Sequence, residues 1–365
     1  MNWKIKYAIL GIAFWLLLFL GWEWWQSYPK VRLTPIPHPE SRQEKIDSIL
    51  IRSLSDFLIP GLAVGIVENE KITYLKAFGY QNLETKDSLT LQSLLPVASV
   101  SKIFTALSLA SFCLEQGIPI DTTVNALLPL GKKLSNEFNH ISLLELLKHS
   151  SGMNDSRSFG EILIPEEKRK LSFLSEYLPS PDLENKAFEY ADINFDLIGY
   201  VMETASGKAF GEFVKENTLA AAGMENSYFS EQRLYNLPGH KQTFLWKRIQ
   251  STELKFERNP SPSTGLILSA EDLSKALLHL CRGNMGGFDQ DLKWLTSASE
   301  IPAGFQRIML DEAGFIGHFG EQGGFSSIVA YSPSLEIGLF LISNSEDKYD
   351  FRKSIPGEIV KIIIQ

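Results

Sequence analysis

The sequence predicts an α+β fold in which one antiparallel sheet is built from both ends of a domain and flanked by helices. Three observations lead to this prediction. β-rich segments occur early in the chain and again near its end, a mostly helical stretch lies between them, and an apolar segment precedes them all. Strands from the two ends can pair in one sheet, so the helical middle becomes an inserted subdomain with a cleft beside it.

The composition is that of a chain with a large hydrophobic core, and it argues against nucleic acid and metal ions as partners. Its 365 residues are 44% hydrophobic and 21% charged, enough for one or two domains. A net charge of −8 without a basic cluster argues against nucleic acid. The six histidines and the two cysteines, Cys113 and Cys281, show no metal-ligand spacing. We therefore expect no metal, no cofactor and two buried thiols rather than a disulfide.

The first residues predict a membrane segment. Lys4 and Lys6 precede an uninterrupted apolar run from Tyr7 to Trp22, and further tryptophans follow it. We expect residues 1–28 to form an uncleaved signal anchor of a single-pass cell-membrane protein, with the domain on the extracytoplasmic side. A cleaved signal peptide is the alternative, although no small-x-small cleavage pattern follows the run.

The chain after this segment divides into a linker and a domain. Four prolines predict that residues 29–44 form an extended linker and that residues 45–365 form the domain. A helical pattern begins near Ser41 and ends before Pro60. Predicted strands at the two ends of the domain are Leu62–Val67, Ile72–Phe78, Gly314–Phe319, Phe325–Tyr331 and Ile337–Ile342. Predicted helices between and after them include Leu143–His149, Asp192–Thr204, Phe210–Glu216, Ala270–Cys281 and Ile355–Ile364.

The stretch most suggestive of chemistry contains Ser99 and Lys102 at the start of an amphipathic helix that ends before Gly117. Residues three apart share a helix face, so the hydroxyl and the amine can meet. We expect the apolar surroundings to lower the lysine pKa and make Lys102 a base for a nucleophilic Ser99. The alternative is a helix-capping serine beside a solvated lysine.

Three other stretches also suggest a site, although each has an ordinary explanation. Tyr190 lies just before a predicted helix, where a tyrosine usually packs in the core. The segment Leu147–Met153 reads as a turn after a helix, and Gly317–Gly320 as the end of a strand. Each stretch alone is weak evidence for a site, and it is their order along the chain that indicates one.

Taken in order, the landmarks resemble the serine hydrolase family of class C β-lactamases, D-alanyl-D-alanine peptidases and related esterases. The resemblance covers roughly residues 45–345. The segments that carry it are Ile59–Val64, Ala98–Lys102, Leu146–Gly152, Tyr190–Asp192, Gly223–Met224, Ser269–Leu273 and Gly317–Gly320.

This resemblance implies roles for particular residues. Ser99 would attack a carbonyl and form an acyl-enzyme, while Lys102 and Tyr190 would share the proton transfers. The backbone amides of Ser99 and of Glu321, just after Gly320, would hold the oxyanion. The helix dipole would add positive potential at the same place.

Three departures from the family pattern bear on the substrate. Asp192 replaces the usual asparagine, and His318 replaces a lysine that carries a permanent positive charge. Phe319 is bulky and is expected to narrow the cleft floor. If Asp192 approaches His318 it would raise the histidine pKa and restore positive charge at acid pH; the alternative is that Asp192 binds backbone amides and His318 stays neutral.

Together these features predict a membrane-anchored serine hydrolase that cleaves an ester, amide or peptide bond of a small-molecule or peptide substrate. The departures argue against efficient β-lactamase activity. The alternative is a catalytically silent, penicillin-binding-like module that binds a cell-wall ligand or a partner protein. Neither the substrate nor the oligomeric state can be read from the sequence.

Overall fold

The computed structural model describes residues 3–155, 164–232, 234–243, 249–256, 258–282 and 287–365. Met1 and Asn2 of the predicted anchor therefore lie outside the described residues. The strands are β1 Ser27–Tyr28, β2 Gly61–Glu68, β3 Lys71–Asn82, β4 Asp87–Ser88, β5 Leu94–Pro96, β6 Tyr228–Phe229, β7 Leu234–Gln242, β8 Ile249–Lys255, β9 Leu266–Ser269, β10 Gln306–Leu310, β11 Ala313–Gln322, β12 Phe325–Ser332 and β13 Ile337–Ser343.

The helices of the described residues lie mainly between these strands. They are α1 Trp3–Gln26, α2 Arg42–Asp56, α3 Ser101–Gln116, α4 Val124–Leu127, α5 Leu143–Leu147, α6 Asp192–Ser206, α7 Phe210–Val214, α8 Ala270–Cys281, α9 Asp289–Leu295 and α10 Phe351–Ile364.

The central sheet joins the two ends of the domain, as predicted. Its order is β10-β11-β12-β13-β2-β3-β4, and the named pairs are antiparallel. β13, from the end of the chain, pairs with β2, from its beginning, so that Leu341 lies opposite Val64. The α+β prediction is thus confirmed, while strand β10 was not predicted.

Both faces of the sheet are covered, because alternate residues of a strand point to opposite sides. On one face Val64 and Ile66 pack in a cluster with Leu50 of α2 and Ile355 of α10. On the other face, Ala63 belongs to a larger cluster that includes α3 and α8. The sheet therefore lies between the terminal helices and the inserted subdomain.

Helix α3 is buried almost all round, whereas the sequence predicted a helix with one buried face. Every residue from Ser101 to Ala110 is buried, because the sheet covers one side of the helix and the subdomain covers the other. Its polar side chains still have partners: the Ser101 hydroxyl accepts from Leu266 N at 2.9 Å, and Thr105 donates to the Pro262 carbonyl at 2.7 Å. Gly117, with φ +65°, ends the helix at the predicted place.

The middle of the chain is less helical than the sequence indicated. It contains the hairpin β7–β8 and a small sheet of order β5-β9-β6. β9 pairs with β5, and the residue after β5, Val97, donates its N–H to the Leu266 carbonyl at 3.1 Å. This small sheet thereby holds the backbone that leads into Ser99.

The N-terminal helix α1 is exposed along most of its length, although Glu23 near its end is buried and Gln26 accepts a hydrogen bond from Gln250 of β8. It is apolar, its outward residues are exposed, and its 24 residues extend about 36 Å, enough to cross a bilayer. The helical segment Ala98–Gln116 is also long and apolar, but it is largely buried and forms the core. An exposed apolar helix at this position is consistent with either a signal anchor or a signal peptide.

The segment that follows α1 runs along the domain surface. β1 pairs with β8, Val31 is buried, and Leu33 packs against the cluster around α2. Helix α2 already begins at Arg42, with a capping box between Ser41 and Glu44, so the last residues of the predicted 29–44 linker are helical.

Candidate active site

Ser99 lies in a single 3₁₀ turn, Ala98–Val100, immediately before α3. It is therefore neither inside the helix nor its N-cap, which is Val100. The preceding residue, Ala98, is held at φ +47°, an unfavourable conformation for a residue with a Cβ. Such strain persists only where the surrounding structure imposes it, and here it turns Ser99 toward the cleft at the N-terminal end of α3.

Lys102 is fully buried and its three ammonium hydrogens have three acceptors. Nζ lies 3.1 Å from Ser99 Oγ, 2.6 Å from Asp192 Oδ1 and 3.1 Å from the Ser263 carbonyl. The alternative of a solvated lysine is thus excluded by its position. An ammonium group uses all three of its donors in this arrangement.

The charge state of Lys102 differs from our expectation. Burial lowers the lysine pKa, as the sequence suggested, but the Asp192 carboxylate and the Tyr190 side chain oppose it, and the net pKa is raised. The prediction of a lowered pKa was wrong because it counted desolvation and not the ion pair. Lys102 is therefore an ammonium in the resting site.

Asp192 is the first residue of α6, and a carboxylate from elsewhere in the chain positions that helix end. Asp155 accepts the N–H groups of Asp192 at 2.6 Å and of Ile193 at 3.0 Å. Burial raises the pKa of Asp155, and the two N–H groups that it accepts only partly oppose this shift. Sequence reasoning missed Asp155 because 37 residues separate it from the helix that it caps.

Tyr190 lies beside Lys102 and packs among imidazole rings. Lys102 Nζ is 5.0 Å from the centre of the Tyr190 ring. The ring centroids of Tyr190 and His149 are 4.4 Å apart, and that of His318 is 6.1 Å away. His149 Nδ1 accepts the Ala191 N–H at 3.2 Å, and burial lowers the His149 pKa to about 4. His149 thus supports Tyr190 as a neutral ring.

His318 occupies a different place from the one we predicted. It is buried and lines a neighbouring cavity of about 450 Å³ together with His149 and Phe188, whereas Asp192 lines the cleft that contains Ser99. Burial and the Lys102 charge lower the His318 pKa to about 3. Asp192 opposes this shift, as predicted, but burial and Lys102 outweigh it, so the expected gain of positive charge on His318 at acid pH is wrong. Of the alternative, the neutral His318 is confirmed, whereas the expected binding of Asp192 to backbone amides is wrong, because its carboxylate pairs with Lys102.

Strand β11 brings Gly320 against the turn that holds Ser99. A Cβ at Gly320 would lie 2.2 Å from the Val97 carbonyl oxygen and 3.2 Å from Ser99 N, so only glycine allows this approach. Glu321 follows at the cleft wall. Phe319 packs against the cluster on the opposite face of the sheet, so it does not narrow the cleft floor as expected.

The cleft around Ser99 has a volume of about 310 Å³ and charges of both signs. Asp155, Asp192, Asp196 and Arg258 all line it. Burial raises the Asp196 pKa to about 6, against the opposing effect of Arg258, whose Nε lies 3.8 Å from the carboxylate. The cleft therefore carries one carboxylate that titrates near neutral pH.

Comparison with known proteins decides the family. The model of the family described as Beta-lactamase matches residues 50–361. The chain belongs to the β-lactamase family. Curated relatives include the protein Flp of Staphylococcus aureus (strain MW2), 23% identical over 84% of this chain and 64% of Flp, and a β-lactamase of Providencia stuartii, 25% identical over 64% of this chain and 59% of that protein. The chain thus spans less than two thirds of the length of these relatives.

Solved structures show the same β-lactamase-family fold. The D-amino acid amidase of Ochrobactrum anthropi SV3, complexed with L-phenylalanine amide, superposes with a TM-score of 0.70 at 17% identity, covering 88% of this chain and 97% of the amidase. The octameric penicillin-binding protein homologue of Pyrococcus abyssi gives a TM-score of 0.67 at 20% identity, covering 88% of this chain and 77% of that one. The predicted family resemblance is confirmed.

Proposed function

We propose that this β-lactamase-family chain cleaves an ester, amide or peptide bond through an acyl-enzyme on Ser99. One observation carries the proposal: a buried Lys102 ammonium lies 3.1 Å from Ser99 Oγ and 2.6 Å from Asp192. Burying a charge costs free energy unless the charge is paired and hydrogen-bonded, and buried charged groups are often found at functional sites. Here one of the three hydrogen bonds of Lys102 goes to the candidate nucleophile, Ser99.

The proton transfers follow from the charge state of Lys102. An ammonium that donates to Ser99 Oγ cannot take the serine proton, so we assign the role of general base to Tyr190, which takes this proton while Oγ attacks the substrate carbonyl. Lys102 Nζ lies 5.0 Å from the centre of the Tyr190 ring, so its positive charge favours that role. Tyr190 then gives this proton to the leaving group, which departs and leaves the acyl-enzyme. In the second stage a water molecule attacks the acyl carbonyl and gives a proton to Tyr190; the bond between the carbonyl carbon and Ser99 Oγ breaks, the acid leaves, and Tyr190 returns the proton to Oγ.

The oxyanion of the tetrahedral intermediate is held by the N–H groups of Ser99 and Glu321. The close approach of Gly320 to Ser99 N supports this assignment, because it places the β11 backbone beside the Ser99 turn. The N-terminal end of α3 contributes positive potential at the same point. Two such donors in a site shielded from water lower the barrier by several kcal/mol, roughly 3 for each.

The proposed substrate class rests on His318 and Asp192, which stand where the family pattern has a lysine and an asparagine. His318 is neutral and buried, and the Asp192 carboxylate is paired with Lys102, so neither supplies the positive charge or the amide donor of efficient β-lactamases. We therefore propose esters and amides of amino acids or short peptides as substrates; one structural neighbour is a D-amino acid amidase.

A labelling and turnover assay tests this function. We expect a fluorophosphonate probe to label the wild-type protein, and a panel of p-nitrophenyl esters, D-amino-acid amides and a chromogenic cephalosporin to show turnover of esters or amides above that of the cephalosporin. Absence of both labelling and turnover would favour the catalytically silent binding module.

We further propose that α1 is an uncleaved, single-pass anchor and that the domain lies outside the cytoplasm. Contacts of the end of α1 itself with the domain support this: Glu23 is buried, and Gln250 of β8 donates to the Gln26 side chain at 2.9 Å. The expected result is retention in the membrane fraction after a carbonate wash, with Met1 present in the intact mass. Recovery of a soluble form that starts near residue 26 would instead indicate a signal peptide.

Asp196 should control how the cleft responds to acid. Its folded pKa of about 6 lies above the ordinary value of 3.8, so the carboxylate gains a proton as pH falls through about 6. The cleft then loses a negative charge, and we expect kcat/KM for a carboxylate-bearing ester to rise relative to a matched neutral ester. Profiles between about pH 5 and pH 9 measure this ratio.

Two variants assign this pH effect. Asp196→Asn should remove the rise, whereas His318→Gln should leave it, because His318 is neutral throughout that range. If the increase in the kcat/KM ratio at low pH instead disappears in His318→Gln and persists in Asp196→Asn, His318 and not Asp196 is the titrating group.

A further inference from the structure

Arg352, on the C-terminal helix α10, binds the strand that carries the proposed oxyanion donor. Its Nη1 donates to the Gly320 carbonyl at 2.8 Å, and its Nη2 lies 2.6 Å from the Glu321 carboxylate. The side chain is mostly buried, with 16% exposed. Arg352 thus contacts two consecutive residues of β11 next to Ser99, although it lies more than 250 residues from Ser99 in the sequence.

The two atoms that matter belong to one peptide group. The carbonyl oxygen of Gly320 and the N–H of Glu321 are parts of the same planar unit, and in a trans peptide they point in opposite directions. A donor that holds the oxygen therefore also fixes the direction of the N–H. Because the donor is charged, it polarises the peptide and makes the N–H a stronger hydrogen-bond donor.

The β11 backbone has a paired strand on only one of its edges at this point, among the described residues. Pairing of β10 with β11 ends at Gln306 and Gly317, so no strand of the described residues pairs with residues 318–322 on that edge. Glycine also gives residue 320 more conformational freedom than other residues have. On the other edge β12 does pair with this segment, with Gly320 opposite Ser327 and Glu321 opposite Ser326. Arg352 therefore adds a charged contact to a peptide that one neighbouring strand already aligns, and we expect it to limit the remaining rotation of that peptide away from the oxyanion.

Arg352 is itself held in place. The Asp347 carboxylate, whose side chain is fully buried, accepts the Arg352 Nε at 2.9 Å, the Arg352 backbone N–H at 2.9 Å and the Phe351 N–H at 2.8 Å. The guanidinium also lies 5.9 Å from the Phe319 ring centre. These contacts orient the fork of donors toward Gly320 before any substrate binds.

We propose that Arg352 is a positioning residue of the oxyanion site, acting through the Gly320–Glu321 peptide. This inference rests on the proposed function, since it supports the Glu321 N–H. Arg352 acts on the charge that develops in the transition state, so its loss affects kcat more than KM.

The test compares Arg352→Gln and Arg352→Lys with the wild type on a p-nitrophenyl ester. We expect Arg352→Gln to lower kcat about 10- to 100-fold with KM changed less than about threefold. Affinity for phenylboronic acid, whose tetrahedral adduct on Ser99 carries the negative charge, should fall by a similar factor. Arg352→Lys retains the ion pairs with Asp347 and Glu321 but lacks the fork, so it should keep the unfolding temperature better while still losing kcat.

Arg52→Gln is the matched control. Arg52 is an exposed arginine that pairs at 2.7 Å with Glu358 of the same helix α10, so its loss should leave kcat and boronate affinity unchanged. Unchanged kcat in Arg352→Lys, or a boronate affinity that is kept while kcat falls, would overturn the role of Arg352. Failure of the wild type to hydrolyse any ester or take up the fluorophosphonate would instead overturn the proposed function.

Discussion

Ser99→Ala is expected to abolish fluorophosphonate labelling and to lower ester turnover by roughly 10³-fold or more. The hydroxyl is the only group removed, and the turn that holds it is fixed by backbone contacts such as that of Val97 with Leu266, so the fold should persist. Labelling followed by intact-mass measurement, together with a thermal unfolding curve, checks both expectations.

Ser108→Ala is a matched control for this variant. Ser108 lies nine residues further along, in α3; unlike the partly buried Ser99 it is fully buried, and its hydroxyl bonds the Phe104 carbonyl at 2.7 Å and the Thr218 side chain, inside the core. We expect full labelling with a loss of stability of about 1–3 kcal/mol. Turnover that survives in Ser99→Ala would exclude Ser99 as the nucleophile.

Lys102→Met should lower kcat/KM by about 10²-fold or more. The change removes the donor to Ser99 Oγ and the positive charge beside Tyr190, while methionine fills a similar volume. It also leaves Asp192 without its counter-ion, which should cost about 1–3 kcal/mol of unfolding free energy. Steady-state kinetics and denaturant unfolding measure the two effects separately.

The double variant Lys102→Met/Asp192→Asn separates chemistry from stability. Removing both charges should restore much of the unfolding free energy but none of the activity, because no ammonium returns to Ser99. Lys186→Met, which breaks a partly buried ion pair with Glu145, is the control for the loss of a pair away from the cleft. Loss of activity smaller than about threefold in Lys102→Met would assign the proton chemistry to Tyr190 without the lysine.

Asp192 shows why one substitution in a family motif has more than one consequence. Where the family pattern has the neutral amide of an asparagine, this chain has the Asp192 carboxylate, which pairs with Lys102 and keeps it charged. In Asp192→Asn the carboxylate is gone, so only Tyr190 still opposes the effect of burial, and we expect the Lys102 pKa to fall, which would let the amine accept a proton. Measurable gain of cephalosporin hydrolysis in this variant would show that Asp192 sets substrate choice.

Local patterns allowed much of the fold to be predicted. β-rich runs located β2, β3, β12 and β13, and the helical period after Ser269 located α8 to the residue. The sheet β5-β9-β6 was missed because its strands of two to four residues carry too few residues for a pattern. The longer β7 and β8 were also missed; β7 contains Pro238 and Gly239, which are unfavourable in a strand.

The sequence by itself determined the sheet from two termini, the apolar N-terminal helix, the Ser99 and Lys102 spacing and the order of landmarks that marks the family. Each of these depends on neighbours along the chain or on motif order. Tertiary structure alone decided the raised pKa of Lys102, the separate cavity of His318, the Asp155 cap on α6 and the contact of Arg352 with Gly320. The physical reason is that charge state and burial depend on groups brought together from distant parts of the chain, and no local periodicity records which groups will meet.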